Sequence, residues 1–85
     1  MKTTNLYIKL GHRIRQLRHI QGISQERLAE EVGVHRTYIG AIERGEKRVS
    51  LTIVYKISQV LQFHLSQLFQ FEPKMPHIQL DEKLS

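Results

Sequence analysis

The sequence predicts an all-α fold: a compact bundle of about five short helices and no strand. Two observations predict it. Apolar residues recur at three- and four-residue steps over most of the chain, the period of one face of a helix. At nearly every break in that rhythm stands a glycine or a serine, the residues that stop and start helices. No internal repeat or low-complexity stretch interrupts the pattern.

The first helix is expected from Leu6 to Gln21, with Leu6, Leu10, Ile14 and Leu17 on its buried face. Gly22 follows where a chain commonly leaves a helix in the left-handed conformation. Ser24 then offers a hydroxyl to an unpaired backbone N–H, opening a second helix from Gln25 to Val32 with Leu28, Ala29 and Val32 inward. Gly33 breaks it, and a third helix is expected from about His35 to Arg44, with Ile39 and Ile42 inward. Gly45 ends that helix. Ser50 caps a fourth, Leu51 to about Gln62, whose buried stripe is Leu51, Val54, Ile57 and Leu61. A short fifth helix runs from Phe63 to Phe69. Pro73 and Pro76 stop helix formation beyond it. Residues 6–71 are therefore expected to form one domain, and 72–85 a short, loosely held C-terminal tail.

Charge narrows the function. The 85 residues hold 13 Lys and Arg against 8 Asp and Glu, a net +5. Residues 1–25 carry Lys2, Lys9, Arg13, Arg15 and Arg18 and no acid, while residues 71–85 are net negative, so the positive excess lies in the part expected to fold. Such a surface suits a polyanion. There is no cysteine, which excludes disulfides and thiolate metal sites and fits a reducing cytoplasm. No apolar run reaches the ~18–20 residues of a membrane span, and Met1–Thr4 lacks the apolar core of a signal peptide. A soluble, cytoplasmic, nucleoid-associated bacterial protein is expected.

Enzymatic and metal chemistry find no support in the residue pattern. His12 and His19 are seven positions apart, too far along a helix to share one ion. His35, His64 and His77 stand at two helix starts and in the tail, and no carboxylate is spaced to work with any of them. Glu30 and Glu31 read as a solvated helix face. No catalytic residue, metal site or cofactor is expected.

Gln25 to Arg44 makes the strongest case. Two helices crossing steeply need a small residue at their closest approach, supplied by Ala29. They need a residue tolerant of positive φ in the sharp turn, supplied by Gly33. Apolar residues must lock the pair, and Leu28, Val32, Val34, Ile39 and Ile42 are placed to do so. The run from Ser24 to Gly45, SQERLAEEVGVHRTYIGAIERG, resembles the lambda-repressor-like (Xre-type) helix-turn-helix family, and the likeness extends over roughly residues 8–70. Within it, Arg36-Thr37-Tyr38-Ile39 followed by Ile42-Glu43-Arg44-Gly45 is similar to the controller proteins of restriction–modification systems.

That resemblance implies a module whose third helix enters the major groove of double-stranded DNA. Arg36, Thr37, Gly40 and Ala41 are expected to face away from Ile39 and Ile42. Arg36 can donate two hydrogen bonds to guanine, and Thr37 can meet a thymine methyl. Small Gly40 and Ala41 would let the helix sit close to the groove floor. Gln25, at a helix start, is expected on a phosphate. Tyr38 either presents its hydroxyl to the DNA backbone or packs on the first helix. His35 either caps the third helix or touches DNA, and Arg44 either contacts DNA or packs within the domain. Lys47 and Arg48 are expected on phosphates or the groove edge. For Glu43 the resemblance implies a buried, structural ion pair with Arg18. It also implies a homodimer, for which Leu65, Phe69 and Phe71 supply apolar surface beyond what so small a core absorbs.

The expected function is thus a sequence-specific transcriptional regulator, binding a pseudo-palindromic operator as a homodimer and controlling restriction–modification genes. No small-molecule effector is expected, since there is no separate ligand domain. Two alternatives share the fold. One is an antitoxin or phage-type repressor that also binds a partner protein. The other is a protein-interaction adaptor, against which the basic groups around the third helix argue.

Overall fold

The computed structural model describes residues 3–71 and contains five helices in that span. They are α1 (Thr3–Gln21), α2 (Gln25–Val32), α3 (Arg36–Glu43), α4 (Leu51–Leu61) and α5 (Leu65–Leu68). No strand occurs among the described residues. The expected tail, 72–85, lies outside them.

The helix ends follow from their local chemistry. Ser24 Oγ accepts the Arg27 N–H at 3.0 Å and Ser50 Oγ accepts the Ile53 N–H at 3.2 Å, each pairing one of the donors a helix start leaves open. α2 ends at Gly33, which adopts φ 93° and sends its N–H to the Ala29 carbonyl. α4 ends differently from the other breaks. Its C-cap, Gln62, is a non-glycine residue in the left-handed region, φ 63°. α5 is shorter than the sequence suggests, because the turn after Gln62 consumes Phe63 and His64 before helical bonding resumes.

All five helices contribute to one core, in which Ile14, Leu28, Ile39, Ile57, Leu61 and Leu68 are fully enclosed. Two residues expected there are not, and the first, Leu6, is only half-buried and outside the cluster. Leu51 is 65% exposed, because it is the first residue of α4 and projects ahead of the turn where Val54 begins the buried stripe. Ser58 occupies the core side of α4 as well, its hydroxyl donating to the Tyr55 carbonyl at 2.6 Å and so remaining paired.

α1 and α3 meet almost backbone to backbone. A Cβ on Gly11 would stand 2.7 Å from the Glu43 carbonyl oxygen and closer still to that of Ile42. Only glycine admits this approach, and it sets α3 directly against the middle of α1. Two of the five basic residues near the N-terminus also have structural partners. Arg18 is buried, and Arg13 Nε donates to the Gln67 carbonyl at 2.7 Å, fastening α1 to α5.

Candidate nucleic-acid interface

α3 is held from behind and open in front. Behind it, Arg18 and Glu43 form a two-point ion pair, Nε to Oε2 at 2.7 Å and Nη2 to Oε1 at 3.1 Å, with both residues buried. Arg18 Nη1 also donates to the Ile23 carbonyl at 2.9 Å. The pair bridges the end of α1, the turn before α2 and the end of α3. Among the described residues no buried side-chain polar atom lacks a hydrogen-bond partner, so the charges are fully satisfied.

Gln25, expected on a phosphate, has a partner inside this network. Its Nε2 donates to Glu43 Oε1 at 2.9 Å, and the residue is half-buried. The reason is the acceptor capacity of Glu43: a carboxylate has about four lone-pair sites and Arg18 does not fill them. A neutral donor from the start of α2 completes the set.

The open face begins at the α3 N-terminus. His35 is its N-cap; Nδ1 accepts the Thr37 N–H at 3.1 Å and lies 2.9 Å from Thr37 Oγ1. Arg36 and Thr37 are both exposed, and among the described residues no carboxylate pairs with Arg36. Tyr38 is half-buried and packs against the core. Lys47 and Arg48 are exposed in the segment between α3 and α4.

Gly40 and Ala41 do not form an open patch, contrary to expectation. Ala41 is 7% exposed, because the turn out of α3 folds back beside it and the Glu46 N–H bonds its carbonyl at 2.9 Å. Gly40 is buried beneath two side chains. The position its Cβ would take is 3.2 Å from Arg44 Nη1 and 3.5 Å from Gln25 Oε1. Arg44 itself is exposed and is held by Glu46 through Nε at 3.0 Å and Nη2 at 3.2 Å. The guanidinium hydrogen bond keeps the Glu46 carboxyl below the usual carboxylate range. Its pKa being lowered, the Glu46 carboxyl takes up a proton only at a lower pH than an unpaired one would, so the pair is charged at neutral pH.

The expected dimer residues divide. Leu65 and Phe71 are partly buried against the core of their own subunit, where α5 and the segment after it close over α1 and α4. Phe69 is 38% exposed, its ring edge-on to Phe71 with centroids 6.2 Å apart. Larger exposed apolar groups stand elsewhere: Leu51 and Tyr55, one turn apart on α4, and Ile20 at the end of α1. The sequence reading missed α4 because it assigned Leu51 to the core.

Among the described residues no three His, Asp or Glu gather as a metal site would require, and no helix is long and apolar enough to cross a membrane.

Residues 14–68, from within α1 to the end of α5, match the helix-turn-helix family HTH_3. The chain belongs to that family. It is 43% identical over 70 residues to the control protein C.BamHI of Bacillus amyloliquefaciens, covering 81% of this chain and 86% of that one. It is 41% identical over 59 residues to the control protein C.SmaI of Serratia marcescens, covering 69% and 70%. Among solved structures, the restriction–modification controller protein C.AhdI of Aeromonas hydrophila superposes with a TM-score of 0.72 at 41% identity, covering 74% of this chain and 96% of that one. SinR, the master regulator for biofilm formation, solved in complex with DNA, superposes at 0.67 with 35% identity, covering 72% and 98%.

Proposed function

We propose that this helix-turn-helix chain is a sequence-specific double-stranded-DNA-binding transcriptional regulator that acts as a homodimer and controls restriction–modification genes. The observation that carries the reading is the exposed start of α3. Arg36 and Thr37 project from a helix whose rear is pinned by the Arg18–Glu43–Gln25 network. A base-reading helix needs that combination, since side chains discriminate bases only if the helix under them is fixed. The likeness to control proteins, and to a regulator crystallised on DNA, supports the same reading.

In this mechanism Arg36 donates to guanine O6 and N7, and Thr37 contacts a neighbouring base. Lys47 and Arg48 hold phosphates beside the groove. Two subunits present their α3 helices about 34 Å apart on one face of the duplex, so the operator is a pseudo-palindrome. Phe69, with Leu51 and Tyr55 of α4, supplies the apolar surface for pairing.

Selection of bound sequences from a random DNA pool tests the reading. The expected product is two half-sites in inverted orientation, about ten base pairs between centres. Arg36→Ala should relax preference at one base pair per half-site, whereas Lys47→Ala should weaken all sequences alike. Recovery of unrelated sequences by the native chain would overturn the proposal.

Salt titration gives a separate check. A dimer neutralising on the order of six to ten phosphates should show a log–log slope of affinity against salt between about −5 and −9. An affinity unchanged from low to physiological salt would contradict DNA binding by this surface.

A further inference from the structure

Glu46 presents a difficulty for any surface that meets DNA. It is an exposed carboxylate three residues after the end of α3, beside Lys47 and Arg48, where its charge opposes the approach of phosphate. It also cancels part of the benefit of Arg44, to which it is bonded at two points. Surface ion pairs contribute little stability, so stability does not account for it.

The geometry of Arg44 does. A guanidinium has five N–H donors in a rigid plane. Glu46 takes the side edge, formed by Nε and one N–H of Nη2. The end edge, formed by Nη1 and the other N–H of Nη2, is left to bond something else. Nη1 lies over Gly40, one helical turn back toward Arg36 and Thr37, at 3.2 Å from where a Cβ would be. Gly40 therefore acts as a floor, its missing side chain allowing the guanidinium to lie along the outer surface of α3. An unrestrained arginine at the end of a helix would swing to the nearest phosphate and carry no sequence information.

We infer that Glu46 is a specificity-determining residue, which holds Arg44 across Gly40 as a second base reader and keeps it from the phosphates. Glu46 is a positioning residue; Arg44 makes the contact, and the end edge left free matches the paired acceptors O6 and N7 of guanine. The inference rests on the DNA-reading role proposed above for α3 and extends it to the C-terminal end of that helix.

Selection from a random pool, run with the native chain, Arg44→Ala, Glu46→Gln and Gly40→Ala, tests it. Thermal melts check that each variant is folded; none of the three substituted positions carries a large core side chain. All three variants are expected to lose preference at the same base pair of each half-site, by about tenfold. Glu46→Gln should at the same time bind random-sequence DNA more tightly than the native chain. Its salt slope should steepen by about one, because the released Arg44 takes a phosphate. Arg44→Ala should show neither gain. If Glu46→Gln tightens binding but keeps every base preference, Glu46 is only a repelling charge and the inference fails while the operator reading stands. If the native chain selects no sequence, both fail together.

Discussion

Glu43→Ala is expected to abolish DNA binding by unfolding the domain, although Glu43 lies on the helix that would enter the groove. The carboxylate is buried and bonded at two points to Arg18 and at a third to Gln25. Removing it leaves the Arg18 guanidinium buried with only the Ile23 carbonyl and the neighbouring His19 ring within bonding distance. Stranding one member of such a pair costs ~3–5 kcal/mol. The whole stability of an 85-residue domain is about 4–13 kcal/mol, so the loss is a large share of it. For a chain this size each kcal/mol corresponds to about 4–8 °C, which puts the expected fall in melting temperature above about 12 °C. Circular dichroism melts measure it. The double replacement Arg18→Met with Glu43→Leu should cost less than Glu43→Ala alone, because no uncompensated charge remains. A Glu43→Ala chain that melts with the parent would remove the structural role and leave Glu43 as a repelling group near DNA.

The same network marks where sequence reading succeeds and where it stops. The α2–turn–α3 unit is legible because its constraints are local: a serine cap, a small buried residue at Ala29, Gly33 at positive φ, and an apolar period across fifteen residues. Arg18 and Glu43, 25 positions apart, were joined through the family resemblance and not through spacing. The bond from Gln25 to Glu43 is not legible in the sequence, because helix starts favour anions in general while this partner depends on how α2 and α3 cross. With the fold in place the bond follows: a buried carboxylate needs more donors than one arginine provides, and Gln25 is the neutral donor nearest in the folded unit. Leu51 and Ala41 failed for the related reason that helical period gives a face, but not which turn of that face reaches the core. Leu51 falls ahead of it and Ala41 behind a returning turn. For the expected interface, Arg36, Thr37, Lys47 and Arg48 are exposed, whereas Gly40 lies under Arg44 and Gln25. Only coordinates show that last arrangement, since it depends on the side-chain geometry of three residues.

Gly11→Ala is expected to destabilise the domain by about 3 kcal/mol or more, against what helix propensity alone would give. Gly11 lies inside α1, where alanine is favoured over glycine by ~1 kcal/mol, so an isolated α1 would gain from the change. In the folded chain the new methyl meets the Glu43 carbonyl at 2.7 Å and the Ile42 carbonyl at a shorter distance. Backbone cannot turn aside as a flexible side chain can, so α1 and α3 must separate. Overpacking of this kind costs ~1–3 kcal/mol even where side chains give way, and here the displaced atoms belong to a helix. Separation also strains the Arg18–Glu43 pair, whose 2.7 Å bond spans the same two helices, and so adds to the cost. The expected readout is a melting temperature lower by more than about 12 °C, together with loss of operator binding in proportion to the unfolded fraction. A far-ultraviolet spectrum of a peptide spanning α1 alone should show equal or greater helicity with alanine. If the full chain instead melts at or above the parent temperature, α1 and α3 do not pack as closely as described. The placement of α3 against the rest of the domain would then have to be drawn again.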